Sequence, residues 1–517
     1  MGFLGTITTQ FRHNGRALLF CSISAIGALV YGYDNTYYNG VLAMQEFKND
    51  YGSHFENGQK ALAVSFSSLT TSSIYIGDLL GALISAPIND KWGRKAVFWF
   101  ASACVIAGGV AQVADTHYEG VIVLGRILIG LGVGQFTVTS LLYIGEVAPV
   151  EIRGPALMMY QFLQSCSQLV ASGITQGTEG VQNSISYKLP MGGLIILPLL
   201  LLVVLPFVPE SPFWFIMKGR PADAEKALRT INKGHADYDP SDDLHMLQEI
   251  KRIEDQQAET SSWKALVLDP IERRKLLASA GAMYAQQICG ILFFYNYGVV
   301  FAQAIGISEP FLIQLITNIL QIFAVAACVL TGNKVHRRSN LLITTAVMFF
   351  AFIVIGGIGT QKTLTTASQY VIVVFSYVVI IAYNFGQGPL TYTIAREMAV
   401  GVNQNKIMSA AIVLFYFVTW LVSFTAPYLY YSANLGPMLG FVYAATTLTS
   451  LAWVWFYVGE TTGRTNLEIS LFFQQQIPVR QWRTHVFDHE GGVMGEKAGR
   501  RSSSLAGDAE HVEKPAV

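Results

Sequence analysis

The sequence predicts an all-α membrane protein of twelve transmembrane helices, arranged as two six-helix halves with a cytoplasmic helical linker between them. Three observations carry that expectation. Apolar runs long enough to cross a bilayer recur along the chain. Charge is scarce and falls mainly between those runs. A basic turn follows the second run of each half.

A helix needs about 20 mostly apolar residues to cross the hydrocarbon core. Twelve such runs lie near 17–44, 63–88, 96–114, 119–141, 155–176, 190–208, 276–303, 310–332, 341–360, 367–395, 407–431 and 436–458. The first opens near Ala17 and continues past Val30 with no small-residue cleavage site after it, so it reads as a spanning helix rather than a removed signal. The longest hydrophilic interval divides the runs six and six. The expected organisation is an N-terminal segment 1–16, a first half 17–208, a linker 209–275, a second half 276–458 and a tail 459–517. Mixed charge at helical spacing predicts amphipathic helices over 222–231 and 241–258 of the linker. From about residue 491 the tail is rich in Gly, Ser and charge, the composition of a disordered segment.

Charged residues make up 13% of the chain, about half of what a soluble domain carries. Net charge is zero, so no overall field favours nucleic acid. Cys21, Cys104, Cys166, Cys289 and Cys328 each fall inside an apolar run without paired ligand spacing, and read as small core side chains. No metal and no cofactor is expected. The expected surroundings are a lipid bilayer and a small solute, with the chain acting as a monomer.

Lys and Arg in short connections set orientation. Lys91, Arg94 and Lys95 follow the second run, and Lys334, Arg337 and Arg338 follow the eighth. The alternate connections carry only Lys48, Lys60, Lys188 and Lys362. The termini and linker are therefore expected in the cytoplasm, and the membrane expected is the plasma membrane. The turn over 89–95 is echoed over 333–339, which predicts a duplicated six-helix unit. Such repeats mark secondary transporters, with the substrate site between halves near the midplane.

A charge within a span is costly and therefore a functional candidate. Asp34 sits late in the first run and Arg126 in the fourth, each the natural partner of the other. Pairing offsets part of both desolvation costs. A carboxylate released from such a partner could take a proton, the chemistry of a proton-coupled carrier. The plainer alternative is a fixed ion pair bracing two helices. Gln161, Gln164 and Gln168 lie on the fifth run, and Gln286 and Gln287 on the seventh. An amide offers donor and acceptor together, which suits hydroxyl-rich ligands. Amides also bond between helices. No nucleophile–base pair, metal cluster or phosphate loop points to an enzyme.

The residues resemble the sugar porter family of the major facilitator superfamily, from about Gly32 to Trp482. The family's first-span motif appears as Gly32-Tyr33-Asp34, and its loop motif over 86–95 with Ala86 for the first Gly. The fourth-span signature appears as Gly125-Arg126 with Tyr143, Glu146, Arg153 and Gly154. Pro209-Glu210-Ser211-Pro212 and Glu460 to Arg464 match two further motifs with changes. Gln286-Gln287 and Gly290 match the seventh-span pattern, but Leu292 stands where the family has a sugar-contacting Asn. Gly388-Pro389 and Glu397 match the tenth, with Tyr392 in place of Trp.

The resemblance implies the major facilitator fold and import of a sugar or sugar-like polyol by alternating access, coupled to protons. It implies substrate contacts at Gln161, Gln168, Gln286, Gln287, Gln321, Tyr392 and Ser423. It assigns Asp34 and Arg126 to proton coupling. Arg94, Glu146, Arg153, Arg337, Arg338 and Glu397 would form a cytoplasmic gate latching the halves in the outward-open state. Tyr392, Pro427-Tyr428-Leu429 and the segment 477–482 look most like the fungal branch carrying maltose and other α-glucosides. The open alternatives are an uncoupled facilitator, a carrier of a non-sugar such as quinate, and a nutrient sensor.

Overall fold

A computed structural model describes residues 15–485 except 57, 115–116, 234–237, 261, 332–334 and 465, and omits the side chains of 56, 150–158, 253–254, 257–260, 329 and 466–467. Among these residues eleven helices are long and apolar enough to span a bilayer: Gly15–Ala43, Val64–Trp92, Arg94–Val113, Glu119–Val147, Ile185–Phe207, Pro270–Ala304, Pro310–Cys328, Arg337–Gly359, Thr366–Met398, Gln404–Ser432 and Gly436–Tyr457. The remaining expected span forms as Val150–Thr178, a helix of full spanning length. Its glutamines and serines set it apart from the apolar eleven. It lies against the first span and the eighth, so those polar residues have protein rather than lipid to face. Counting this helix as the fifth, the spans number twelve, six before the linker and six after.

The linker carries Pro221–Ile231 and Ser241–Thr260, close to the two expected helices, together with Pro212–Met217 and Trp263–Leu268. The chain is not purely helical. After the first span, His54–Glu56 and Gln59–Ala61 pair as an antiparallel hairpin too short for any periodic signal. The tail folds as Asn466–Gln474 and then buries Trp482, whose ring stacks on Phe472 at 4.7 Å. The stretch expected to be disordered lies outside the described residues.

Three spans are broken. The first is interrupted at Ala25, the seventh at Cys289-Gly290 and the tenth at Gly386. Gly290 has φ +82°, and a Cβ there would stand 2.3 Å from the Tyr443 ring. Only glycine meets both demands. Breaks free backbone carbonyls, which inside a membrane need protein partners. At the tenth-span break Asn340 Nδ2 donates to the freed Phe385 O at 3.1 Å, and Gln286 Nε2 donates to Gly388 O at 2.8 Å and Gln387 O at 3.2 Å at the start of the following segment.

The halves meet through the first span with the seventh, the second with the eleventh, and the fifth with the eighth. Exchanging the halves maps this set onto itself, as a duplicated unit requires. Large apolar side chains such as Val203, Phe323, Ile343 and Phe350 remain exposed on the outer surface of the spans, where lipid would cover them.

Candidate functional site

We call the membrane side that holds the linker the linker side, and the opposite one the far side. Asp34 and Arg126 meet as expected. Arg126 Nη1 donates to Asp34 Oδ1 at 2.8 Å, and the two residues are 3% and 2% exposed. Arg126 is further held by Thr70 O at 3.1 Å, the Tyr37 hydroxyl at 3.3 Å and the face of Tyr38 at 4.3 Å. Tyr37 in turn donates to Gln112 Oε1 at 2.7 Å. Arg126 thus has one anion, two oxygens and a π face, which together offset the cost of burying it.

The expected ligand-binding amides divide into occupied and unoccupied groups. Gln286 donates to the carbonyls of Gln387 and Gly388, just after the tenth-span break, and its Oε1 accepts from Gln287 Nε2 at 3.3 Å. Expected to meet a ligand, Gln286 is instead engaged in holding the tenth-span break. Gln168 accepts from Gln321 Nε2 at 2.5 Å, an amide pair joining the two halves. The Ser423 hydroxyl accepts from Asn296 Nδ2 at 2.8 Å, and Asn296 Oδ1 accepts from Tyr75 at 3.0 Å. What remains is a set of acceptors. Gln287 Oε1, Gln321 Oε1 and Asn318 Oδ1 are buried without a hydrogen-bond partner. Gln161 is half-buried. Tyr392 is 44% exposed, packs on Phe415 at 5.6 Å and interacts electrostatically with the interior residues Tyr160 and Asp78.

Hydrogen bonds between the halves gather toward the far side. Asn39 Nδ2 donates to Gln314 at 3.2 Å, Lys48 Nζ to Gln303 at 3.1 Å, Gln303 Nε2 to Ala43 O at 3.1 Å, and Ser68 to Phe424 O at 2.5 Å. These donors and acceptors lie at or near the far-side ends of their spans.

On the linker side each half contains the same ionic unit. In the first half Arg94 grips Glu146 through Nε at 2.9 Å and Nη2 at 2.5 Å, while Glu210 accepts the backbone N–H groups of Arg94 at 3.0 Å and Lys95 at 3.1 Å. In the second half Arg337 pairs with Glu397, while Glu460 accepts the N–H groups of Arg337 at 3.0 Å and Arg338 at 3.2 Å. The two glutamates satisfy first-turn N–H groups of the third and ninth spans and complement their helix dipoles. The Arg338 guanidinium donates to Val458 O and Trp455 O. The gate was expected to bridge the halves. In this conformation each ion pair lies within its own half, Arg94 with Glu146 in the first and Arg337 with Glu397 in the second, because the clasp between halves is on the opposite side. The Arg153 side chain lies outside the described residues.

Three contributors were not among the expected site residues. Glu210 and Glu460 sit inside recognisable motifs, but their capping role depends on contacts more than a hundred residues away. Asp78 stands mid-way along the second span, 1% exposed, with Oδ1 unpartnered. An acid within an apolar run was the available signal. Burial pushes the Glu210 carboxyl above the usual carboxylate range, against the pull of the backbone donors from Ser211, Lys95 and Arg94.

Comparison with known proteins agrees with this architecture. The sequence pattern of the family described as "Sugar (and other) transporter" matches residues 20–473. The low-affinity glucose transporter HXT1 of Saccharomyces cerevisiae is 25% identical over 88% of this chain and 81% of its own length. The high glucose sensor RGT2 of the same yeast is 28% identical over 90% of this chain but only 61% of its own length. Among solved structures, the inward-open xylose transporter XylE from E. coli superposes with a TM-score of 0.72 at 20% identity, covering 88% of this chain and 99% of that one. The proton:xylose symporter XylE bound to 6-bromo-6-deoxy-D-glucose gives 0.71 at 21% identity, covering 89% and 100%. These relatives are carriers and a sensor, not enzymes. With the family pattern covering nearly the whole chain and the two-half helical fold beneath it, this multi-pass membrane protein belongs to the sugar (and other) transporter family.

Proposed function

We propose that the chain imports a sugar or sugar-like polyol by alternating access, coupled to a proton through Asp34 and Arg126. The observation that carries this reading is the set of buried amide oxygens on Gln287, Gln321 and Asn318 that lack partners. A buried acceptor left unsatisfied is costly. A ligand bearing several hydroxyl donors would satisfy all three at once, with Gln161 and Tyr392 completing the surface. Gln168 and Ser423 would act at the junction between halves, where they already bond across it. The names of the relatives support hexoses as the first class to test. The departures at Leu292 and Tyr392 favour a larger α-glucoside.

In the cycle we propose, the conformation described has its far side clasped. Reopening the far side would bring the linker-side ends together, and Arg94, Glu146, Arg153, Arg337, Arg338 and Glu397 would then exchange partners across the halves. The distribution of Lys and Arg supports termini in the cytoplasm, and the membrane we propose is the plasma membrane. The test is uptake of radiolabelled glucose, maltose and quinate into a transport-null host, with and without a protonophore. Accumulation of one sugar that collapses with the protonophore supports the reading. Uptake that equilibrates and ignores the protonophore would show a facilitator.

A further inference from the structure

We infer that Asp78 is a second proton-binding carboxylate, set between the Asp34–Arg126 pair and the linker-side face. The inference rests on the proton-coupled reading above. Asp78 is 1% exposed and its Oδ1 has no hydrogen-bond partner. Its backbone is clamped against the fourth span. A Cβ at Gly134 would lie 2.1 Å from Asp78 O, and one at Gly130 would lie 3.0 Å from Asp78 N. These contacts fix its depth. Arg126 reaches the second span at Thr70 O, and Asp78 is eight residues further along that helix, which is about 12 Å at 1.5 Å per residue. The second span runs from the far side to the linker side, so Asp78 is the deeper acid as seen from the far side.

The groups within electrostatic reach of Asp78 come from every neighbouring element. They are Asp34 of the first span and Arg126 of the fourth, with the phenols Tyr31, Tyr75, Tyr160, Tyr392 and Tyr416 of the first, second, fifth, tenth and eleventh spans. Arg126 is the one cation in this set, and its charge is already met by Asp34 at 2.8 Å. Two carboxylates therefore share a single arginine. An ionised Asp78 would be a buried charge with no counter-ion, which proteins avoid by neutralising the group. The phenols can donate to a carboxylate but supply no positive charge, and the Tyr160 hydroxyl is itself buried without a partner. Asp78 takes one proton from water and becomes the neutral acid. When Asp34 lets go of Arg126, the arginine is free to stabilise the Asp78 carboxylate, and the Asp78 proton returns to water on the linker side.

The experiment uses the full chain in lipid nanodiscs. Infrared difference spectra are recorded against pH for the wild type, Asp78→Asn and Asp34→Asn, and proton movement is followed in proteoliposomes on adding whichever sugar the uptake screen identifies. The expected result is a protonated-carboxyl C=O band in the wild type and in Asp34→Asn that is lost in Asp78→Asn and fades with rising pH. Sugar-driven proton flux should fall at least tenfold in Asp78→Asn. If Asp78→Asn does not fold, Asp78→Glu should shift the same band rather than remove it. A spectrum unchanged by either substitution overturns the assignment. A wild type that shows the Asp78 band but moves no proton with sugar overturns the coupled-transport reading instead, so the two failures are distinguishable.

Discussion

Replacing Asp34 by Asn tests the ion pair most directly, because it removes one charge and almost no volume. Asn Oδ1 can still accept from Arg126, and Thr70 O, the Tyr37 hydroxyl and the Tyr38 ring remain in place. What is lost is the only carboxylate bonded to a guanidinium that is 3% exposed. Breaking a buried pair from one side costs about 3–5 kcal/mol, and the retained hydrogen bond places Asp34→Asn near the lower end. The loss should be largely recovered in Asp34→Asn with Arg126→Gln, where no orphaned charge remains, so a double-mutant cycle should show strong coupling. In transport, Asp34→Asn should abolish accumulation against a gradient yet leave substrate counterflow measurable, since the amide acceptors are untouched. The assays are thermal unfolding in detergent for the cycle, and uptake and counterflow in proteoliposomes for function. Accumulation by Asp34→Asn at the wild-type level would refute the coupling role. Additive single-mutant costs would refute the pairing itself.

Gln161→Ala or Gln287→Ala should weaken substrate affinity by more than tenfold with folding intact, because an unpaired hydroxyl or amide costs about 1–3 kcal/mol; unchanged binding in both variants would move the site elsewhere. Glu210 should give stability a pH dependence of definite sign. Its folded-state carboxyl titrates above the ordinary value of 4.5 because burial outweighs its backbone donors, so the folded chain binds more protons than the unfolded one and this residue's contribution falls as pH rises from 4.5 through the raised value. Glu210→Gln should flatten that slope in thermal unfolding measured across the range, and a slope unchanged by the substitution would reject the assignment. Leu292→Asn with Tyr392→Trp should shift preference toward simple hexoses in competition against hexoses, disaccharides and cyclitol acids, whereas a wild type that already prefers glucose over the whole panel would remove the basis for reading selectivity from these positions.

The spans and the Asp34–Arg126 pair were legible because each is a local signal: apolar length in one case, an isolated charge inside such length in the other. The fifth span shows the limit of the first signal, since Gln161, Gln164 and Gln168 make a buried helix look polar. Gln286 and Gln287 show the limit of the second. They are adjacent and chemically identical, yet one is engaged by the tenth-span break and the other keeps a bare oxygen. Only the position of Gly386, a hundred residues away, separates them. Glu210 and Glu460 stand in motifs that sequence can name, but capping is a relation between a loop and a distant helix terminus. Asp78 carries the same signal as Asp34, an acid inside an apolar run, but no second basic residue at this depth marks its partner.

The duplicated scaffold has been specialised differently in its two halves. On the linker side both halves keep one unit, an arginine gripping a glutamate with a second glutamate capping the helix that bears the arginine. At membrane depth the symmetry ends. The first half holds Asp34, Asp78 and Arg126, while the second half, among the described residues, buries amides and hydroxyls at this depth and no acid or base. Gln286 and Asn340 of that amide set are engaged by carbonyls beside the tenth-span break. The ionisable groups at this depth lie in the first half, and the bare amide oxygens of Gln287, Gln321 and Asn318 lie in the second. Any coupling between them must cross the interface where Gln168 meets Gln321 and where Tyr75, Asn296 and Ser423 form a chain. Those bonds join side chains that must separate when the far side opens. A solute that engages Gln321 would alter the partner of Gln168 in the charged half, and Arg126 bonds Thr70 O, five residues before Tyr75 on the second span. The side chains already hydrogen-bonded across the interface, Gln168 with Gln321 and Tyr75 with Asn296 and Ser423, are the contacts through which we propose that ionic change and hydroxyl recognition are linked.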